Sequence, residues 1–330
     1  MQPHDKNARI VRSFAKALGT ALMVAGVVMT TLVAGEHLQD GGRWVGTWTA
    51  SPQQAAAPIQ INGQTLRQTV HTSIGGERVR VRFSNAYGVS DLVIGSAHVA
   101  LSAGGSAILR RTDRVLTFNG SPTITIPAGA LAVTDAVTLD VPPLGDIAVS
   151  LYLPGSVTAT TQHEVGLQTN YISTPGDFTG ATGLAGVTTQ SFYFLTGVEV
   201  RASEGARAIV TLGDSTTDGF ASTADMNQRW PNLLAERLQS YRKTSRVAVL
   251  NAGVSGNRIL HDLVGTSAAT RLDRDVLVQT GARYLILLQG NTDILIPDLI
   301  GNPTQNVTAD QIIQGQRQII SRAHAMGLRV

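Results

Sequence analysis

Ala208-Ile209-Val210-Thr211-Leu212 runs straight into Gly213-Asp214-Ser215-Thr216-Thr217-Asp218-Gly219. The first five residues are a short apolar run of the kind that forms a buried strand, and the next seven are a polar turn bounded by glycines. The pattern recurs twice. Val247–Leu250 leads into Asn251-Ala252-Gly253-Val254-Ser255-Gly256-Asn257-Arg258, and Tyr284–Leu288 leads into Gln289-Gly290-Asn291-Thr292-Asp293. Helical patterns lie between and after these runs. Leu233, Leu234, Arg237, Leu238 and Tyr241 share a helical face behind Pro231. A further helical region spans roughly 259–279. Thr308 and Gln311 form a capping box ahead of Ile312, Ile313, Ile319, Ile320 and Ala323, and Gly327 ends that helix. Leu328-Arg329-Val330 begins what reads as a fourth strand. Strand–helix alternation predicts a parallel sheet covered on both faces, an α/β/α three-layer domain over 207–330. Open parallel sheets bind ligands at the carboxyl ends of their strands, where all three polar turns fall.

Upstream the period changes. Glu77-Arg78-Val79-Arg80-Val81-Arg82-Phe83-Ser84 alternates apolar and charged residues, the mark of a half-buried strand with Arg78, Arg80 and Arg82 on a solvated sheet surface. Further β-rich runs lie at Leu66–Thr72, Leu92–Leu101, Pro122–Ile126, Ala136–Val141, Ile147–Leu153 and Phe192–Val200. Turn signals such as Gly75-Gly76, Gly104-Gly105 and Pro142-Pro143 separate them. Many short strands with glycine and proline turns predict an all-β sandwich or jelly roll over 44–200. Arg201-Ala202-Ser203-Glu204-Gly205 reads as the linker to the α/β half.

Composition narrows the function classes. The 330 residues are 43% hydrophobic and 15% charged, enough apolar material for a full core. The net charge of +3 is too small for a nucleic-acid stripe, and Lys6, Arg9, Arg12 and Lys16 supply much of the basic excess. With no cysteine there is no disulfide scaffold, thiolate zinc site or cysteine nucleophile. Ala17–Ala34 carries no charge and follows the basic stretch, so residues 1–35 read as a secretory signal peptide. The alternative is an uncleaved membrane tether through 17–34. Either reading places the rest of the chain outside the cytoplasm, secreted or periplasmic, or anchored and facing outward.

The three turns together resemble the SGNH/GDSL serine hydrolase family. Gly213-Asp214-Ser215, followed by Thr217-Asp218-Gly219, is similar to its first motif, and Asn251 through Gly256 to its second. Gly290-Asn291-Thr292-Asp293 resembles its third motif, Gly-x-Asn-Asp, with Asn291 one place early and Thr292 at the Asn position. The preceding segment, with Trp44-Val45-Gly46-Thr47-Trp48 and Gln64-Thr65-Leu66-Arg67-Gln68, looks like the β-domain of some secreted bacterial members. The resemblance implies a metal-independent, cofactor-free carboxylic-ester hydrolase acting through an acyl-serine intermediate. Ser215 would be the nucleophile. Its backbone N–H, the N–H of Gly256 and the side-chain amide of Asn291, or the Thr292 hydroxyl in its place, would hold the oxyanion. Asp214 would shape the turn. An ester of an acylated carbohydrate or lipid would be the substrate.

The family's base, a His three residues after an Asp, has no counterpart here. His261 is close in sequence to the second turn, and His324 sits at a helix end where the dipole favours a positive charge. The expectation is a hydrolase whose C-terminal acid/base segment is missing from this chain, with little triad-type turnover. The rival of another class is a secreted carbohydrate- or surface-binding protein with a non-catalytic hydrolase remnant. A metallophosphoesterase lacks its Asp-x-His pair, and dinucleotide binding lacks Gly-x-Gly-x-x-Gly after a strand.

Overall fold

The computed structural model describes residues 42–330, so the leader or tether expected within 1–35 lies outside the described residues. Ten strands carry the architecture: β1 (Arg43–Thr49), β2 (Gln53–His71), β3 (Gly76–Ser84), β4 (Ser96–Gly104), β5 (Asp146–His163), β6 (Asn170–Pro175), β7 (Leu195–Ala202), β8 (Arg207–Gly213), β9 (Val247–Gly253) and β10 (Ala282–Leu288). One antiparallel sheet runs β1-β7-β3 and continues to Val137–Val141. A second is built on β6-β2-β5-β4. The long strands β2 and β5 pair from Asp146↔His71 to Gln162↔Gln53, well beyond the short runs legible in the sequence. A third sheet is parallel, in the order β9-β8-β10. Val79, Val81, Val149 and Leu151 from the antiparallel sheets and Val210, Leu250 and Leu285 from the parallel one belong to a single buried cluster. The described residues accordingly form one compact unit.

The α-helices among the described residues are α1 (Ser215–Asp218), α2 (Trp230–Gln239), α3 (Ala268–Leu272), α4 (Asn291–Leu299) and α5 (Ala309–Ala325); α2, α3 and α5 fall in the helical regions read from the sequence, whereas α1 and α4 start within its polar turns. Two differ from the sequence reading. In α2 the buried residues are Pro231 and Ala235, whereas Leu233 is 48% and Tyr241 61% exposed. The helix seats its proline flank on β9 and turns the predicted stripe partly outward. The helical region expected over 259–279 shrinks to α3 and a π-helical turn at Asp273–Leu277. Its first part is pulled off helical geometry because the Ile259 and Leu260 N–H groups are taken by the Asp293 carboxylate (2.7 and 3.2 Å). The capping box at α5 is complete: Gln311 N–H donates to Thr308 Oγ1 (3.2 Å) and Thr308 N–H to Gln311 Oε1 (2.8 Å). Beyond it, Arg329 pairs in parallel with Tyr284 on the free side of β10.

The arginine row is the third correction. It is not a solvated surface. Arg80 Nε donates to Glu199 Oε2 (2.6 Å), Arg82 pairs with the other oxygen, and Glu199 itself is buried. Arg82 also reaches across to Thr280 Oγ1 in the α/β half (2.7 Å). A buried carboxylate needs such partners, since removing one member of a buried ion pair costs about 3–5 kcal/mol whereas an exposed pair is worth about 0–1 kcal/mol. More polar bonds tie the halves together: Gly46 N–H to the Thr280 carbonyl (2.9 Å), and Val249 N–H to Ser73 Oγ (3.1 Å).

Candidate active site

Three strands of the parallel sheet end level. Gly213 on β8 is the register partner of Gly253 on β9 and of Leu288 on β10, so the three polar turns leave the sheet at one edge. The first turn folds as a helix start. Asp214 has extended backbone, and its Oδ1 accepts from Thr216 N–H (3.0 Å), a side-chain N-cap. The Asp214 carbonyl takes the N–H groups of Thr217 and Asp218 (3.0 and 2.9 Å). Ser215 is then the first residue of α1, half-buried. Its N–H is one of the orphan donors of a helix start, and no acceptor among the described residues meets it.

The second turn is a β-turn closed by Asn257 N–H to the Val254 carbonyl (3.0 Å). Gly256 occupies its third position with φ +75°, the left-handed geometry of a type II turn. The central Ser255–Gly256 peptide takes no part in the closing bond. The Gly256 N–H is likewise unpaired among the described residues. The first and second turns touch directly. Asp218 Oδ2 accepts both Ser255 N–H and Ser255 Oγ–H, each at 2.7 Å, and Asn251 Nδ2 donates to the Thr217 carbonyl (2.8 Å). A side chain at Gly253 would collide with the backbone of Asp218, so the approach requires glycine.

The third turn is strapped to the second through Asn257. Gln289 Nε2 donates to the Asn257 carbonyl (2.6 Å), and the buried Thr292 hydroxyl donates to the same oxygen. That occupies the hydroxyl offered above as the substitute for Asn291. Asn291 is the first residue of α4, exposed, and its side chain has no hydrogen-bond partner among the described residues. Asp293 is buried, and that burial pushes its carboxyl above the ordinary range, opposed by the Ile259 and Leu260 N–H groups and by Arg258 and His261. The structure thus joins Ser215, Gly256 and the third turn through Asp218, Asn257 and Thr292.

Two buried charged groups that the sequence reading passed over hold this framework. Arg271 on α3 donates to the carbonyls of Gly213 (3.2 Å) and Ala252 (2.7 Å), to Asn257 Oδ1 (2.9 Å), to Ser51 Oγ (3.1 Å) and to Asp275 Oδ2 (3.1 Å). Burial lowers its pKa from the ordinary arginine value, against the pull of Asp275. On the opposite side, His163 at the end of β5 bonds Asp218 Oδ1 through Nε2 and the Ser51 carbonyl through Nδ1, both at 2.9 Å. No histidine among the described residues hydrogen-bonds the Ser215 hydroxyl: His71 is paired with Asp146, His98 with Asp113, and the rings of His261 and His324 have no hydrogen-bond partner among the described residues.

Residues 209–327 match the model of the GDSL-like lipase/acylhydrolase family. That segment is similar to the GDSL family. The match takes in all three turns of the candidate site. Among solved structures, a mutant of the esterase AlinE4 is similar at 20% identity and TM-score 0.31, over 38% of this chain and 58% of that one. A mutant of the acetylxylan esterase Axe2 from Geobacillus stearothermophilus is similar at 19% identity and TM-score 0.28, over 36% and 55%. A family two carbohydrate esterase from Clostridium thermocellum is similar at 10% identity and TM-score 0.30, over 88% and 71%. The chain spans little more than half the length of the first two. No curated protein matches.

Proposed function

We propose that this GDSL segment cleaves carboxylic esters through Ser215. The observation that carries the reading is the pair of unpaired backbone donors, Ser215 N–H and Gly256 N–H, presented by two turns bonded to each other at the carboxyl edge of a parallel sheet. Ser215 Oγ attacks the ester carbonyl carbon and gives up its proton. The carbonyl oxygen becomes a tetrahedral oxyanion that accepts from both N–H groups and from the exposed Asn291 amide. Each such donor is worth about 3 kcal/mol in the barrier. Collapse breaks the bond to the alcohol oxygen, which leaves with a proton, and water then hydrolyses the acyl-serine. No described histidine hydrogen-bonds the Ser215 hydroxyl, and the reading takes solvent or buffer base as the proton acceptor for the described residues. A serine site without its base still exceeds the uncatalysed reaction by roughly 10³–10⁴ through donors and binding alone.

Ser215 and Gly256 are half-buried and Asn291 is exposed, so a bulky alcohol component approaches from solvent, and acylated carbohydrates and lipids are the carriers to test. We place the antiparallel half as a sandwich or jelly roll and the family segment as a three-layer α/β/α domain. The leader within 1–35 we read as directing export, from its basic-then-apolar pattern.

The test is covalent labelling with a fluorophosphonate, with the adduct mapped by mass spectrometry. Slow labelling of Ser215 that disappears in Ser215→Ala is expected. No adduct, or one indifferent to that substitution, overturns the reading.

A further inference from the structure

Asp218 is gripped from both sides. Oδ2 holds Ser255 by N–H and hydroxyl, and Oδ1 holds His163 Nε2. The other ring nitrogen of His163 faces the Ser51 carbonyl, which only accepts. Both ring nitrogens therefore donate, and the bonding requires an imidazolium. Burial works against that charge, but the Asp218 carboxylate, its hydrogen bond and the Ser51 carbonyl outweigh it and raise the His163 pKa above its ordinary value. Arg229 acts in the opposite direction. His71 lines the same small cavity and is itself bonded to Asp146. The cavity measures about 50 Å³. Ser215, Gly256 and Asn291 are not among its lining residues, so His163 bears on the proposed ester site through Asp218.

What the grip controls is the Ser255–Gly256 peptide. Type I and type II turns differ by a flip of the central peptide, which reverses the N–H of the third residue. With glycine at that residue no Cβ opposes either state. Gly256 is such a residue, and Asp218 fixes the backbone and side chain immediately before it. We infer that His163, a residue of the antiparallel half, is a positioning residue for the ester site: by locking the Asp218 carboxylate it holds the Gly256 N–H in the orientation that receives the oxyanion. This rests on the esterase reading, and it gives the antiparallel half a part in the chemistry.

The experiment measures the rate at which a fluorophosphonate labels Ser215 in the full chain, from pH 6 to pH 9, for wild type and His163→Gln. Glutamine keeps a neutral donor and removes the charge. The expected result is about tenfold slower labelling in His163→Gln at pH 6, with the gap closing as the wild-type imidazolium deprotonates. A purely structural role changes the melting temperature and leaves the ratio of rates flat with pH. Ser255→Ala, which deletes only the hydroxyl on Asp218, is expected to fold normally and to label severalfold more slowly at pH 6. Equal rates in the variants, or a ratio constant across pH, overturn the inference while labelling of wild-type Ser215 leaves the esterase reading standing. Absence of labelling in wild type overturns both.

Discussion

Replacing Arg271 by methionine should cost close to half of the stability of this chain. The guanidinium is buried and donates to five acceptors, two of them the carbonyls of Gly213 and Ala252, where the first and second turns leave the sheet. Methionine fills much the same volume, so the cavity contribution is small. The loss is electrostatic. Asp275 keeps Arg274, bonded to both its oxygens at 2.6 and 3.1 Å, so its charge is not stranded. The Gly213 carbonyl keeps the Val254 N–H (3.1 Å), so the loss falls mainly on the Ala252 carbonyl and Asn257 Oδ1, to which no other side chain donates. Each buried acceptor left unpaired costs about 1–3 kcal/mol, and breaking a buried ion pair by removing one partner costs about 3–5 kcal/mol. With Asp275 still paired, about 4 kcal/mol is the expectation, against total stabilities of roughly 5–15 kcal/mol for a native protein. Urea unfolding followed by fluorescence of Trp44, Trp48 and Trp230 measures it directly. Arg271→Lys should recover only part, since an ammonium has three donors and cannot span carbonyls on both turns. A loss under 1 kcal/mol in Arg271→Met would refute the claim that this side chain holds the turns in register.

Four further outcomes follow from the same geometry. Gly256→Ala places a β-carbon at φ +75° and 3.0 Å from Val264, so a loss of about 1–2 kcal/mol in denaturant melts is expected, with much slower Ser215 labelling. Thr292→Val removes one of two donors to the Asn257 carbonyl, the Gln289 amide remaining. It should cost about 1 kcal/mol and leave labelling near wild type, whereas Asn291→Ala should slow labelling without a change in melting temperature. Burial alone would raise the Asp275 carboxyl, yet the hydrogen bonds and charges of Arg274 and Arg271 bring it below the ordinary value. Its stabilisation is therefore complete above the unfolded aspartate pKa near 3.9 and is lost as pH falls through the lower folded value. An acid titration followed by circular dichroism should show Asp275→Asn less stable at neutral pH and with a shallower acid transition.

The parts of this molecule legible in the sequence are those set by local pattern. The three apolar runs, their polar turns and the capped helix Ala309–Ala325 depend on neighbours a few residues apart, and the register Gly213↔Gly253↔Leu288 puts the turns at one edge as the strand–helix alternation predicts. What escaped notice depends on partners far along the chain. Arg271 meets Ser51 across 220 positions, Arg82 meets Glu199 across 117, and His163 meets Asp218 across 55. An arginine alternating with valines reads as surface until the carboxylate on the neighbouring strand is known. The segment from 259 to 267 has helical composition, but Asp293 takes its leading N–H groups and the local preference loses to a tertiary bond. The one usable local signal for the grip on the second turn was the acid in Thr217-Asp218-Gly219, a charge placed on the buried side of a short helix with no local partner.

The most direct test of the whole account is a crystal structure of the phosphonylated chain. The adduct should sit on Ser215 Oγ, with its phosphoryl oxygen at hydrogen-bond distance, about 3 Å, from the N–H groups of Ser215 and Gly256 and from the Asn291 amide. An adduct on Ser215 whose oxygen points to solvent, or whose nearest donors belong to other residues, would contradict it.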